Sequence, residues 1–188
     1  MSSKQKIAIS AVGIVLVLAI IGLTVGLVLV ASTVTTANTM KVSYTATNVK
    51  FEISGVAQAY KGDNTKVGNE IKSTPDTASV DATQTAEAAA TSGSLAWGQE
   101  IVIEDNGNGY VVYTFTIKNT ATEGAKAIIA TGAMTETGTN IDWDVNNSGA
   151  TSIAAGSTGT IVVTATVHDA SINATATGSL NITVTQVG

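Results

Sequence analysis

Glu104, Asn106, Asn108 and Gly109 stand at the spacing of the first half of a calcium loop, with oxygen-bearing side chains at alternate positions and a glycine at the turn. The bidentate acid that closes such a loop belongs at position 115, and Phe115 is there instead. A hairpin turn is therefore the better account of residues 104–109. Asp142 and Asp144 flank Trp143. On a strand both acids face one way and the indole the other. A calcium ion shared between these acids and the 104–109 turn is the one metal reading open to the chain. A buried Trp143 with a solvated opposite face explains the triplet better, so no cofactor is expected.

The rest of the inventory is thin. His168 is the single histidine, and Asp169 follows it. A His–Asp pair needs a nucleophile positioned beside it, and no G-x-S-x-G elbow is present. No glycine-rich phosphate loop leads from a strand into a helix. Catalytic residues are thus not expected, and the chain reads as a non-enzyme. Asn146, Asn173 and Asn181 begin N-x-S/T sequons, which matter only where exported asparagines are glycosylated.

Composition explains the thinness. Only 12% of the 188 residues are charged, the net charge is −5, and there is no cysteine. Thiol chemistry, thiolate metal sites and disulfides are excluded. A nucleic-acid partner needs a basic face, which an acidic chain lacks. Threonine, alanine, valine and glycine dominate, as in extended surface and fibre proteins.

No charged residue occurs in residues 7–40, and Lys4 and Lys6 stand just before that run. A helix over residues 7–31 would cross a hydrocarbon core of about 30 Å, with its basic start held in the cytoplasm. The rest of the chain is then exported to the cell surface or beyond. Small residues suit processing after Ser32 or after Ala37. Cleavage is favoured over a retained anchor because an assembly role for the next segment requires its release.

Beyond the helix, short alternating strands separated by Gly/Asn/Ser turns predict a mainly β chain, an antiparallel β-sandwich of jelly-roll or Ig-like type. Val42, Tyr44 and Ala46 alternate on even positions, whereas Val49, Phe51 and Ile53 alternate on odd ones. The switch requires a bulge or a crossing between pairing partners near Thr47 and Asn48. Residues 58–72 read as a loop. Ser73, Thr74, Pro75 and Asp76 read as a helix start, with a short helix or long loop over 77–90. Residues 101–103 and 110–118 read as the arms of a hairpin, and Val111, Tyr113, Phe115 and Ile117 share one face. Further strands are expected around 127–130, at Ile141, Trp143 and Val145, at Ile161, Val163, Ala165 and Val167, and at Leu180, Ile182 and Val184. The expected division is a signal or transmembrane helix over 1–32, an extended linker or donor strand over 33–47, and a sandwich over 48–188.

The chain resembles the TasA/camelysin-type exported fibre proteins, a fold shared with archaeal bundling pilins and related extracellular tubule proteins. The resemblance rests on the basic start and long apolar helix, and on the strand-like residues 41–53. It rests also on the run 110–119 ending in Lys118 and Asn119, and on residues 156–164 followed by 167–170. It implies a secreted sandwich that polymerises head to tail, the freed N-terminal segment of one subunit completing the sheet of the next. Met40, Val42, Tyr44 and Ala46 would be the donor residues, the partner a second copy of the chain, and the membrane a partner only before processing. The competing reading is a membrane-tethered monomeric sandwich for adhesion or glycan binding. A type IV pilin-like filament ranks below both, because no acid lies within the apolar helix.

Overall fold

The computed structural model describes residues 34–83, 91–97, 101–105, 108–137, 141–167 and 175–187. The expected export helix, Asn106, His168 and Asn173 lie outside the described residues. Val34–Gly188 forms one compact unit, distinct from Met1–Thr33.

In chain order the strands are β1 (Val34–Ala46), β2 (Lys50–Tyr60), β3 (Lys66–Lys72), β4 (Ala78–Asp81), β5 (Thr91–Leu95) and β6 (Ile101–Asp105). Then come β7 (Tyr110–Asn119), β8 (Ile128–Thr137), β9 (Ile141–Asn146), β10 (Thr158–Val167) and β11 (Thr175–Gln186). They form two sheets. In the first, β1 lies between β11 and the β5/β6 pair, and β8 forms the far edge. In the second, β2, β7 and β10 are central, β3 and β4 share one edge, and β9 forms the other. Pairing is antiparallel throughout except between β1 and β11, which run parallel.

Alternation dictates the core. Val111, Tyr113, Phe115 and Ile117 of β7 are buried, as are Ile161, Val163, Ala165 and Val167 of β10. The first sheet meets them with Leu180, Ile182 and Val184 of β11 and with Met40, Val42, Tyr44 and Ala46 of β1. Tyr44 and Phe51 touch edge to face at 6.1 Å. Trp97 caps the side of the core, edge-on to Tyr113 and Phe115, with its Nε1 donating to the Ile71 carbonyl at 3.1 Å. Burial pushes the Tyr113 phenol up from its ordinary value of 10.0.

The change of phase near Thr47 is a crossing between sheets. β1 ends at Ala46 in the first sheet, Asn48 takes a left-handed φ of 56°, and β2 starts at Lys50 in the second. Both apolar sets thereby face one core from opposite sides.

Four expectations need correction. Residues 58–72 are not a loop: β2 runs on to Tyr60 and turns back as β3. Ile71 and Val67 are spaced too widely among polar residues to signal an edge strand. Residues 73–76 do not start a helix. The Ser73 hydroxyl accepts from the Gly55 N–H and donates to the Pro75 carbonyl, Thr74 bridges Ala96, and Ala78–Asp81 is a strand on β2. Residues 101–105 and 110–119 are not hairpin arms. Both edges of β7 are already taken by β2 and β10, so β6 pairs with β1 in the opposite sheet. Finally, the strand expected at 127–130 extends as far as Thr137.

Deep packing at Phe115 makes Phe115→Ala expensive. The expected loss is about 3–5 kcal/mol by urea unfolding, against roughly 0.5 kcal/mol or less for outward-facing Thr114→Ala. A second expectation concerns acid. The Thr83 hydroxyl and backbone N–H, with Lys50, hold the Asp81 carboxyl below its ordinary 3.8, although partial desolvation opposes them. A depressed folded value stabilises above the unfolded value and ceases to do so as pH falls through the folded one. Asp81→Asn should therefore lower the urea midpoint slightly at pH 7 and leave it unchanged at pH 2.

Candidate functional site

The most constrained element is β1. Ten of its residues pair with β11, from Ala37 opposite Thr175 to Ala46 opposite Val184. On its other side Val42–Ala46 pair with β5 and Val34–Asn38 with β6. Its partners lie far along the chain: Ser43 donates to Asn181, 138 residues away. β1 is thus the seam of the first sheet, and without it β11 and the β5/β6 pair would have no common neighbour.

The side chains fit that role. Met40, Val42, Tyr44 and Ala46, the donor residues named from sequence, are all buried and all point into the core. Lys41, Ser43 and Thr45 face solvent on the outer side. Tyr44 lies directly opposite Gly93, and its ring crosses the space above that glycine. A Cβ on Gly93 would stand 2.1 Å from the Tyr44 hydroxyl oxygen, so the pair tolerates no side chain there. A one-residue slip of β1 would turn its apolar side chains to solvent and lift Tyr44 off its glycine.

The outer edges of the sandwich are guarded. Ile128 and Ile153 exchange backbone hydrogen bonds at the start of β8. Asn147 imitates a strand further along, its Oδ1 accepting from Gly132 N–H at 2.8 Å and its Nδ2 donating to the Gly132 carbonyl at 3.1 Å. β3 carries Lys66, Glu70 and Lys72, and β9 turns Asp142 and Asp144 to solvent. Charges and covered edges of this kind discourage edge-to-edge pairing.

The other expected residues are scattered around this frame. Glu104 sits on β6 opposite Thr35, and Asn108 is exposed with a φ of 76°. Tyr110, Thr166 and Asp142 form one cross-strand row. The row brings Tyr110, which follows Asn108 and Gly109, and Asp142 to the same end of the second sheet, two strand spacings or about 10 Å apart. Among the described residues no three His, Cys, Asp or Glu side chains gather as a metal site. Trp143 is half-buried, stacked on Tyr113 at 6.4 Å and packed close over Gly178, while Asp142 and Asp144 face out. Asn146 is exposed, with its Oδ1 accepting from the Ser148 N–H, and Asn181 is exposed on the outer face beside Ser43. Of the two processing positions, a cut after Ser32 leaves β1 whole. A cut after Ala37 removes the residues that pair with Val102–Asp105.

Sequence reasoning missed Gly93 and Asn147. Glycine inside the strand-like run 91–95 was the available signal, since it often marks a close approach of another group. Asn147 gave none, because asparagine in a Gly/Ser-rich stretch reads as turn.

No family model matches the chain, and no curated protein matches it. Among solved structures it is similar to a pilus-presented adhesin, Spy0125 (Cpa), at 11% identity over 80% of this chain, with a TM-score of 0.24. A cysteine variant of that adhesin gives 12% identity over 81% and a TM-score of 0.25. The chain spans about a quarter of the adhesin, covering 27% of one and 28% of the other. Likeness at this level carries no argument about role.

The Tyr44–Gly93 contact predicts its own double-mutant cycle. Gly93→Val should cost about 1–3 kcal/mol through overpacking. Adding Tyr44→Ala should recover part of that loss, because the clash then has no second party. Strict additivity in urea unfolding would show that the two residues do not share the space.

Proposed function

We propose that the chain is a structural subunit of an extracellular filament, pilus or matrix fibre, in which β1 of one copy completes the first sheet of the next. The observation that carries this reading is the seam. An N-terminal strand, uncharged except for Lys41, fills the centre of a sheet whose other members come from much later in the chain. Its inward side chains from Met40 to Ala46 are core residues, so an identical strand from a second copy would satisfy the same hydrogen bonds and the same packing. Such a contact is head-to-tail and propagates without closing. The guarded outer edges support the seam as the route of growth, since few unprotected strands remain to add to.

In this reading the apolar run 7–31 would hold the subunit in the membrane before processing and direct it to the cell surface or beyond afterwards. Release of β1 from that run is what makes exchange feasible. No catalytic step belongs to this role.

A monomeric surface module is the second reading, and one observation favours it: here β1 lies in the sheet of its own chain. Electron microscopy of cell-surface and secreted material separates the two. The filament reading expects fibres repeating one small domain, with an N-terminus near residue 33. Monomers that retain Met1 would contradict it. In addition, deleting residues 38–46 should abolish fibres, and a synthetic peptide of residues 34–46 should bind the truncated protein and restore its β-sheet signal. Fibres formed by the truncated protein would rule out exchange of β1.

A further inference from the structure

The chain has four tyrosines. Tyr44 and Tyr113 are buried, and their ring neighbours are Phe51, Trp97, Phe115-side core and Trp143 rather than another tyrosine. Tyr60 and Tyr110 are the two that reach solvent, half-exposed on the outer face of the second sheet. They lie directly opposite each other at the end of the β2–β7 ladder. Their rings are stacked, with centroids 5.0 Å apart and planes within 11° of parallel. Rings at that spacing are offset, the arrangement that aromatic quadrupoles favour.

The pair is held from two directions. Ladder register sets the two backbones. The turn that follows β2 is closed by the Lys61 N–H donating to the Thr65 carbonyl and the Asn64 N–H donating to the Lys61 carbonyl. Asn64 takes a left-handed φ of 67° in that turn, and its Oδ1 accepts from the Tyr110 hydroxyl at 2.7 Å. Two exposed phenols in contact are the reactants of oxidative coupling. A one-electron oxidant takes an electron and a proton from each hydroxyl. The two phenoxyl radicals then join through ring carbons ortho to oxygen, and the hydrogens on those carbons move as protons to the oxygens, restoring both aromatic rings. With hydrogen peroxide as the terminal oxidant, two phenols and one peroxide give one dityrosine and two waters. Contact makes the coupling step internal to one molecule, so it does not wait on an encounter between copies.

We propose that Tyr60 and Tyr110 form a dityrosine cross-linking site, joined by a peroxide-driven one-electron oxidant of the haem peroxidase class. The new carbon–carbon bond ties β2 to β7 and closes a loop that contains β3 to β6. No disulfide can do this in a chain without cysteine. A cross-link restricts the unfolded chain, so the oxidised protein resists unfolding more than the unoxidised one. Both residues belong to the second sheet, so the proposal stands independently of strand exchange.

The test treats the full-length protein in detergent micelles with a haem peroxidase and limiting hydrogen peroxide. Proteolysis and mass spectrometry should find the Tyr60 peptide joined to the Tyr110 peptide, lighter than the separate pair by two hydrogen atoms. Dityrosine fluorescence should appear in protein that still runs as a monomer on denaturing electrophoresis, and the cross-linked fraction should persist on about tenfold dilution. Tyr60→Phe and Tyr110→Phe should each abolish the internal bond, and Tyr113→Phe should leave it. The oxidised protein should unfold at a higher urea concentration, and an unchanged midpoint would overturn the strand-tying role. Absence of dityrosine in folded protein, under conditions that couple free tyrosine, overturns the proposal. So does a cross-link that joins different copies, or one that survives Tyr60→Phe.

Discussion

The first sheet of this protein cannot close until its first strand arrives. Among the described elements β1 alone touches both β11 and the β5/β6 pair, and its β11 partners lie 138 residues further along the chain, as Ser43 and Asn181 do. Closing so long a loop costs conformational entropy before any pairing is gained. Non-local pairing of this kind is slow to form. Under the proposed exchange, a nearly complete sandwich with an open central slot would precede the seating of β1. That slot is also what a neighbouring copy would need.

Under the proposed exchange, seating β1 at home and seating it in a neighbour would be nearly the same energetic sum. Burying Met40, Val42 and Tyr44 contributes on the order of 1.5–3 kcal/mol each, wherever the strand comes from. The ladders to β11 and β5 are likewise identical in the two arrangements. What differs is the path at Thr47 and Asn48, the left-handed crossing that a subunit must straighten to donate its strand, and the concentration of copies. In the proposed exchange the large shared term would set the barrier, because β1 must leave before it can be replaced. The small unshared terms set the balance. Tyr44 over Gly93 fixes the register in either arrangement. The covered edge of β8 and the charged edges of β3 and β9 keep other strands from competing.

Much of this was legible in the sequence, for a physical reason. Strands of the core alternate strictly, so Val111 to Ile117, Ile161 to Val167 and Leu180 to Val184 announced both their type and their inward faces. The change of phase near Thr47 and Asn48 announced a bulge or a crossing, and the sheets show a crossing. Edge strands are another matter. β3 has one weak apolar face and many charges, and nothing in its composition separates it from a loop. Topology was the least visible. A turn signal at 104–109 says that the chain reverses, and does not say whether it reverses within a sheet or across the core. Saturation of both edges of β7 decides that, and saturation is a property of the whole fold. The candidate site divides in the same way: the inward faces of Val42, Tyr44 and Ala46 were read from alternation, whereas Gly93 and Asn147 depend on distant partners.

The absence of cysteine offers a direct reading of which chain β1 belongs to. Ser43 and Ser94 are cross-strand partners on the outer face, so cysteines at the two positions lie at a separation that a disulfide can bridge with small adjustment. Ser43→Cys protein mixed with Ser94→Cys protein can form that bond only between different copies. Filaments grown from the mixture and oxidised should yield abundant covalent dimers carrying one of each variant. Filaments that oxidise without such heterodimers would show β1 at home in its own subunit and contradict the exchanged seam.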